Sequence, residues 1–141
     1  MSNVLFTSSA TAKNGRDGHV KSSDGLIDLD LGNPANDKDA EGSNPEQLFA
    51  AAYSACFDAS LNLVASKQNK KVDSETTAEV SFCKDPADDG FKIEVTMNVR
   101  VKGTNPEEAQ QLVEDAHQAC PYSKATRGNI EVTLKPEAVE S

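Results

Sequence analysis

Hydrophobic and polar positions alternate in short runs, merge into one long apolar block, and then alternate again. Residues 4–12 predict a strand. Residues 19–21 and 26–31 flank Ser22-Ser23-Asp24-Gly25, a hairpin turn signature. In the second of these pieces Ile27, Leu29 and Leu31 alternate with Asp28 and Asp30. The polar stretch 33–43 predicts a surface loop within the domain. A helix follows. Asn44 can cap it, Pro45 suits its first position, and Gln47 completes a pattern like a capping box. From Leu48 to Ala65 the chain is apolar on nearly every side, which predicts a helix buried all round. The alanines at 50, 51, 52, 55 and 59 would let another backbone approach closely. The cations of 67–71 suit its C-terminus.

Two further strands are predicted. In one, Ala78, Val80 and Phe82 alternate with polar neighbours; in the other, Phe91, Ile93, Val95, Met97, Val99 and Val101 do. The turn formers of 85–90 join them as a hairpin. Asn105, Pro106, Glu107 and Glu108 start a second helix, with Ala109, Leu112, Val113, Ala116 and Cys120 on one face. Pro121 stops it. A last strand places Ile130, Val132 and Leu134 inward. Strands, helix, strands, helix, strand is an α+β order, with mainly antiparallel pairing around a central buried helix.

The 141 residues favour a single domain over 1–141. Hydrophobic residues are 37% and aromatics 5%, with no Trp, so Ala and aliphatic residues must fill a modest core, and a homodimer is the natural way to supplement it. The formal net charge of −9 disfavours nucleic acid and anionic membranes. The first residues show no charged leader ahead of an apolar stretch, and the apolar runs look too short for a membrane span, which together point to the cytoplasm. Three cysteines are too few, and odd in number, for a disulfide scaffold.

Each cysteine has a structural and a chemical reading. Cys83 shares a strand face with Glu79 and Ser81 and reads as an inert edge residue. Cys120 lies on an apolar helix face, yet ends its helix beside a proline, where an unwinding turn would free a thiol to move. Cys56 shares a face with Phe49, Ala52, Tyr53, Ser60 and Leu63, and the pattern alone reads as core. A thiol reacts as its thiolate, and burial opposes ionisation. Cys56 also lies too far along its helix to draw on the positive end of the dipole. A reactive Cys56 therefore needs a cation. Arg16, between Gly15 and Gly18, is the candidate, and a solvated turn residue is the alternative.

The run Asn44-Pro45-Glu46-Gln47-Leu48-Phe49-Ala50-Ala51 leading to Ala55-Cys56-Phe57 resembles the first cysteine motif of the organic hydroperoxide resistance proteins, a branch of the osmotically inducible protein C (OsmC/Ohr) superfamily. Residues 120–129, from Cys120-Pro121-Tyr122-Ser123 to Gly128-Asn129, resemble their second motif. Gly15-Arg16-Asp17-Gly18 and Ser22-Ser23-Asp24-Gly25 match the amino-terminal pattern. The resemblance implies an OsmC-like α+β fold, with antiparallel sheets wrapped around a long central helix in an intertwined homodimer. It implies a thiol peroxidase that reduces organic hydroperoxides to alcohols. Cys56 matches the peroxidatic cysteine and Cys120 the resolving one. Arg16 matches the arginine that activates the thiolate, and Glu46 its carboxylate partner. No bound cofactor or metal is implied; the reductant would be an external lipoyl dithiol, free or on a lipoylated protein. Asp58 departs from the pattern by placing a charge where the family is usually apolar.

On this reading Phe49, Phe57, Leu63 and Tyr122 would line an apolar mouth that favours alkyl, aryl or lipid hydroperoxides. Glu46 and Cys56 lie ten residues apart on one helix, roughly 15 Å along its axis. Glu46 and Arg16 would then serve the Cys56 of the partner chain. Three other classes compete. A binding module could hold a lipid-like ligand without chemistry. His19, His117, Cys56, Cys83 and Cys120 could supply metal ligands, although no short Cys-x-x-Cys spacing occurs. A cysteine hydrolase could use His117 as base.

Overall fold

The computed structural model describes residues 2–139, and the chain divides into two compact units, residues 1–48 and 49–141. The first holds a three-stranded antiparallel sheet in the order β1-β2-β3, from β1 (Ala10–Lys13), β2 (His19–Ser22) and β3 (Asp28–Asp30). The β2–β3 turn is fixed locally: Asp24 accepts from the Leu26 amide at 3.0 Å, and Ser22 Oγ accepts from the Ile27 amide at 2.9 Å. Gly25 supplies the positive φ of 78° that this turn needs. β1 is shorter than the predicted strand over 4–12. Residues 2–9 lie outside any strand, and Val4, Leu5 and Phe6 are exposed.

The long helix α1 (Pro45–Lys67) begins in the first unit and runs through the second. Asn44 Oδ1 accepts from the Gln47 amide at 2.7 Å, as the sequence predicts. The Gln47 side chain does not complete the box; it accepts from Ser43 Oγ instead. All-round burial is not observed. Tyr53, Phe57, Ser60, Leu61 and Ala65 are buried, while Ala51, Ala55, Ala59 and Leu63 form an exposed stripe. One chain supplies only enough sheet and helix to cover one side of α1. The helix is also longer and more apolar than the run-length reading allowed. Its 23 residues contain an 18-residue stretch of mean hydropathy 1.4, long and apolar enough to cross a membrane. Its buried side belongs to the core, and core helices meet the same test.

The second unit adds the sheet β4-β5-β6, from β4 (Asp73–Lys84), β5 (Phe91–Lys102) and β6 (Val132–Val139). β4 and β5 form the predicted antiparallel hairpin, pairing Ala78 with Met97 and Val80 with Val95. β6 corrects the antiparallel expectation: it runs parallel to β5, pairing Val95 with Val132 and Lys102 with Val139. A parallel partner needs a long crossover. α2 (Pro106–Ala119) and α3 (Pro121–Thr126) supply it. α2 opens with a complete capping box: Asn105 Oδ1 accepts from the Glu108 amide at 2.8 Å, and Glu108 Oε1 accepts from the Asn105 amide at 3.2 Å.

The core of this unit joins Tyr53, Phe57 and Leu61 of α1 to Val95, Met97, Val99 and Val101 of β5 and to Leu112, Val113 and Ala116 of α2. The face predicted for α2 is the buried one. At the turn end of the hairpin, Phe82 and Phe91 stack at 4.9 Å while exposed. Leu61 is fully buried. Leu61→Ala should therefore lower the unfolding free energy in urea by about 2–5 kcal/mol, with the slope of the transition unchanged.

Candidate active site

In the first unit, Arg16 sits in a single 3-10 turn, Gly15–Asp17, entered through left-handed Asn14 and Gly15. Gly18 closes the turn where only glycine fits, since a Cβ there would lie 1.7 Å from the Lys13 carbonyl oxygen. The turn presents the Arg16 guanidinium to Glu46 in the first turn of α1. Nη1 donates to Oε1 at 2.6 Å and Nη2 to Oε2 at 3.0 Å, a two-pronged ion pair. The hydrogen bonds from Arg16 hold the Glu46 carboxyl below its ordinary range against the opposing effect of burial. The pairing that the resemblance implied is thus formed within one unit.

In the second unit, α1 carries Cys56 and the α2–α3 junction carries Cys120. Their sulfurs lie 3.6 Å apart, and both are free thiols. Cys120 is fully buried; Cys56 is half-buried. α2 ends at Ala119, and Cys120 takes an extended backbone with φ −69° and ψ 123°, because the proline ring bars helical geometry from the residue before it. Pro121 does more than stop α2: it occupies the first position of α3, a helix the sequence reading missed. A disulfide bond is about 2.05 Å long, so the sulfurs need to close by about 1.5 Å. That is within reach of side-chain rotation and needs no unwinding of the Cys120 turn.

Burial pushes the Cys56 thiol up. The Tyr122 backbone amide donates toward it and pulls the other way, and the Cys120 thiol adds to the rise. Phe49, Tyr53 and Tyr122 form a ring cluster in this unit, with centroids 5.7 to 6.1 Å apart. Of the residues expected to line an apolar mouth, Phe49 and Tyr122 keep partly exposed surface. Phe57 does not. It has no exposed surface and serves the core. Leu63 lies 53% exposed on the open stripe of α1. Asp58 points to β4, where Thr76 Oγ1 donates to it at 2.9 Å, and Asn62 Nδ2, one turn on along α1, donates to it at 3.3 Å.

With this geometry in view, the kinship of the chain can be read. Residues 37–135 match the family model described as OsmC-like protein. The chain is 52% identical over 133 residues to the organic hydroperoxide resistance protein OhrB of Bacillus subtilis, covering 94% of this chain and 98% of that one. It is 51% identical to OhrA of the same organism over 138 residues, covering 96% and 98%. The crystal structure of B. subtilis OhrB superposes with a TM-score of 0.90, over 94% of this chain and 98% of that chain at 51% identity. An organic hydroperoxide resistance protein from Elizabethkingia anophelis gives 0.86 at 43% identity over 99% and 100%.

The chain belongs to the OsmC/Ohr family, in its organic hydroperoxide resistance branch. Its fold is the OsmC/Ohr α+β fold with two sheets.

The sequence reading missed one group in this OsmC/Ohr chain. The Tyr53 hydroxyl lies 2.7 Å from Ser123 Oγ and 3.2 Å from Thr126 Oγ1. Ser123 Oγ in turn lies 2.8 Å from His117 Nδ1. The signal was available: a tyrosine inside an otherwise apolar helix must find a partner for its hydroxyl. His117 is engaged here, and among the described residues no group of three or more His, Cys, Asp or Glu is placed to hold a metal ion.

The two histidines shift in opposite directions from 6.5. Burial, with the nearby Arg127 charge, lowers His117, so the stability it contributes is present above pH 6.5 and is lost as pH falls through its folded value. Hydrogen bonds to Asp30 and then Asp28 raise His19, so its contribution is present below pH 6.5 and is lost as pH rises. Urea midpoints across pH should show both limbs. His117→Asn should flatten the acid one and His19→Gln the alkaline one.

Proposed function

We propose that this protein is a thiol peroxidase that detoxifies organic hydroperoxides with Cys56 as nucleophile and Cys120 as resolving thiol. The single observation that carries this reading is the pair of free thiols 3.6 Å apart, one half-buried and one fully buried. The names of the related proteins point the same way. The Cys56 thiolate attacks the outer oxygen of the hydroperoxide. The O–O bond breaks, the alkoxide takes a proton to leave as the alcohol, and Cys56 becomes a sulfenic acid. The Cys120 sulfur then attacks Cys56, the S–O bond breaks, and hydroxide leaves with the thiol proton as water. An external dithiol of the lipoyl type, free or on a lipoylated protein, restores both thiols by exchange and is itself oxidised.

Burial alone leaves Cys56 mostly protonated at neutral pH, so the mechanism requires a cation. We assign it to Arg16, held by Glu46, of a second copy of the chain. Two observations support the assignment. Glu46 stands ten residues before Cys56 on a continuous helix, roughly 15 Å along its axis. The stripe Ala51, Ala55, Ala59 and Leu63, together with Val4, Leu5 and Phe6, leaves more exposed apolar surface than a lone chain needs. A homodimer would cover it. Glu46 offsets part of the charge of Arg16, yet it also fixes the planar fork, and an unaimed guanidinium stabilises nothing. Phe49 and Tyr122 would meet the organic portion of the substrate, which favours alkyl, aryl or lipid hydroperoxides over hydrogen peroxide. Chemistry that depends on reduced thiols fits a cytoplasmic protein working as one domain over 1–141.

One equivalent of cumene hydroperoxide should remove the mass of two hydrogens from the wild type. Cys120→Ser should instead gain one oxygen, and Cys56→Ser should be unchanged. A wild type left unbridged, or peroxide left intact as a passive binding module would leave it, rejects the assignment. Mixing Cys56→Ser chains with Arg16→Ala chains tests the pairing across the dimer. One working site per mixed dimer is expected, and no activity in the mixed species shows that Arg16 acts within its own chain.

A further inference from the structure

The network around Tyr53 can be resolved by counting protons. It has four contacts: His117 Nδ1 with Ser123 Oγ, Ser123 Oγ with Tyr53 Oη, Tyr53 Oη with Thr126 Oγ1, and Thr126 Oγ1 with the Ser123 carbonyl oxygen at 3.2 Å. The three hydroxyls supply three protons. The carbonyl can only accept, so Thr126 donates to it. Tyr53 must then donate to Thr126, and Ser123 to Tyr53. Only an Nδ1–H on His117 completes the fourth contact. The chain runs in one direction from His117 to the Ser123 carbonyl, and with it no buried side-chain nitrogen or oxygen among the described residues lacks a partner.

The placement of these residues is as informative as their bonding. Tyr53 stands one turn before Cys56 on α1. His117 stands one turn before Cys120 on α2, and Ser123 stands three residues after Cys120 on α3. Tyr53 and Ser123 are fully buried, and Thr126 nearly so. α3 has only six residues and no side-chain cap at its start, so it has little stability of its own. Arg127 Nη1, which donates to the His117 carbonyl at 3.0 Å, is an exposed tie by comparison.

We infer that the Tyr53 hydroxyl is a positioning group: through Ser123, Thr126 and His117 it holds the α2–α3 junction so that the Cys120 sulfur stays within closing distance of Cys56. The inference rests on reading the two thiols as the reacting pair. A Cys56 sulfenic acid has two fates. Cys120 can close on it with loss of water, or a second hydroperoxide can carry it to the sulfinic acid. The first is intramolecular, and its rate depends on how much of the time Cys120 is held in place. The second does not involve the Cys120 sulfur. Releasing the pin therefore shifts the partition away from closure.

The test uses the full chain and cumene hydroperoxide, with acid-quenched intact-mass analysis over time. Tyr53→Phe keeps the ring and its packing but removes the hydroxyl. Relative to formation of the oxidised Cys56 species, disulfide closure should slow about tenfold, and the sulfinic acid should rise in proportion at excess peroxide. Ser123→Ala should do the same, and serves if Tyr53→Phe does not fold. His117→Asn, which retains an N–H donor in the same place, should close like the wild type, whereas His117→Leu should not. Histidine nitrogen NMR should find the proton of neutral His117 on Nδ1. Wild-type closure and wild-type partition in folded Tyr53→Phe or Ser123→Ala would overturn the inference and leave the peroxidase reading intact. A loss of closure in His117→Asn equal to that in His117→Leu, or an Nε2–H form of His117, would overturn the directed chain. A wild type that never bridges would remove the reading beneath both.

Discussion

The packing of α1 against the α2–α3 junction is the constraint on which the rest of this structure depends. It sets two sulfurs 3.6 Å apart, nearly in van der Waals contact but unbonded. Close-packed interiors transmit small volume changes over several residues, so this distance is a property of the whole core of the second unit. Leu112, Val113 and Ala116 seat α2 and thereby place its C-terminal end. Pro121 then forces the chain to turn at Cys120 and restarts a helix immediately. Had α2 continued for one more turn, Cys120 would point elsewhere and α3 would not form.

The same burial that fixes the distance works against the chemistry. A half-buried thiol is harder to ionise, and the help that the Tyr122 amide gives Cys56 is outweighed by desolvation. A neutral thiol is a poor nucleophile, so the site is incomplete on the terms of the second unit alone. The first unit contains an arginine whose orientation is fixed by two hydrogen bonds and by a glycine that no other residue can replace. Such effort in orienting one guanidinium is hard to explain by stability, because a partly exposed ion pair contributes little. It is what the site proposed above requires for a developing negative charge. The open stripe of α1 is the surface on which the proposed second copy would sit.

Much of this was legible in the sequence, for identifiable reasons. The capping pattern at Asn105, the face of α2 and the hairpin of β4 and β5 follow from local rules that packing did not override. The three departures have a shared origin. The predicted burial of α1 on all sides, the predicted strand over 4–12 and the supposed mouth residue Phe57 all depend on what lies opposite a residue, and a one-dimensional pattern reports apolarity without naming the neighbour. The parallel direction of β6 is likewise non-local: period-two alternation is the same in either direction. α3 escaped notice because six residues are too few to establish a period.

The relation between rigidity and reaction follows from these distances. A resolving cysteine at a helix end beside a proline suggests that mobility is the useful property. The geometry favours the opposite view. The sulfurs have only about 1.5 Å to travel, a distance a side chain covers by rotating while its backbone stays fixed. Unwinding α3 would expose the polar groups of Tyr53, Ser123 and Thr126 to rearrangement and leave each without a partner while they remain buried. A buried hydroxyl without a partner is costly, so the network resists that motion. Its one-way order adds a second restraint: because the Ser123 carbonyl can only accept, the chain cannot reverse and relax into an alternative arrangement. The junction is therefore held still, and the torsions of the two cysteine side chains are left as the soft coordinate along which the proposed bond would form.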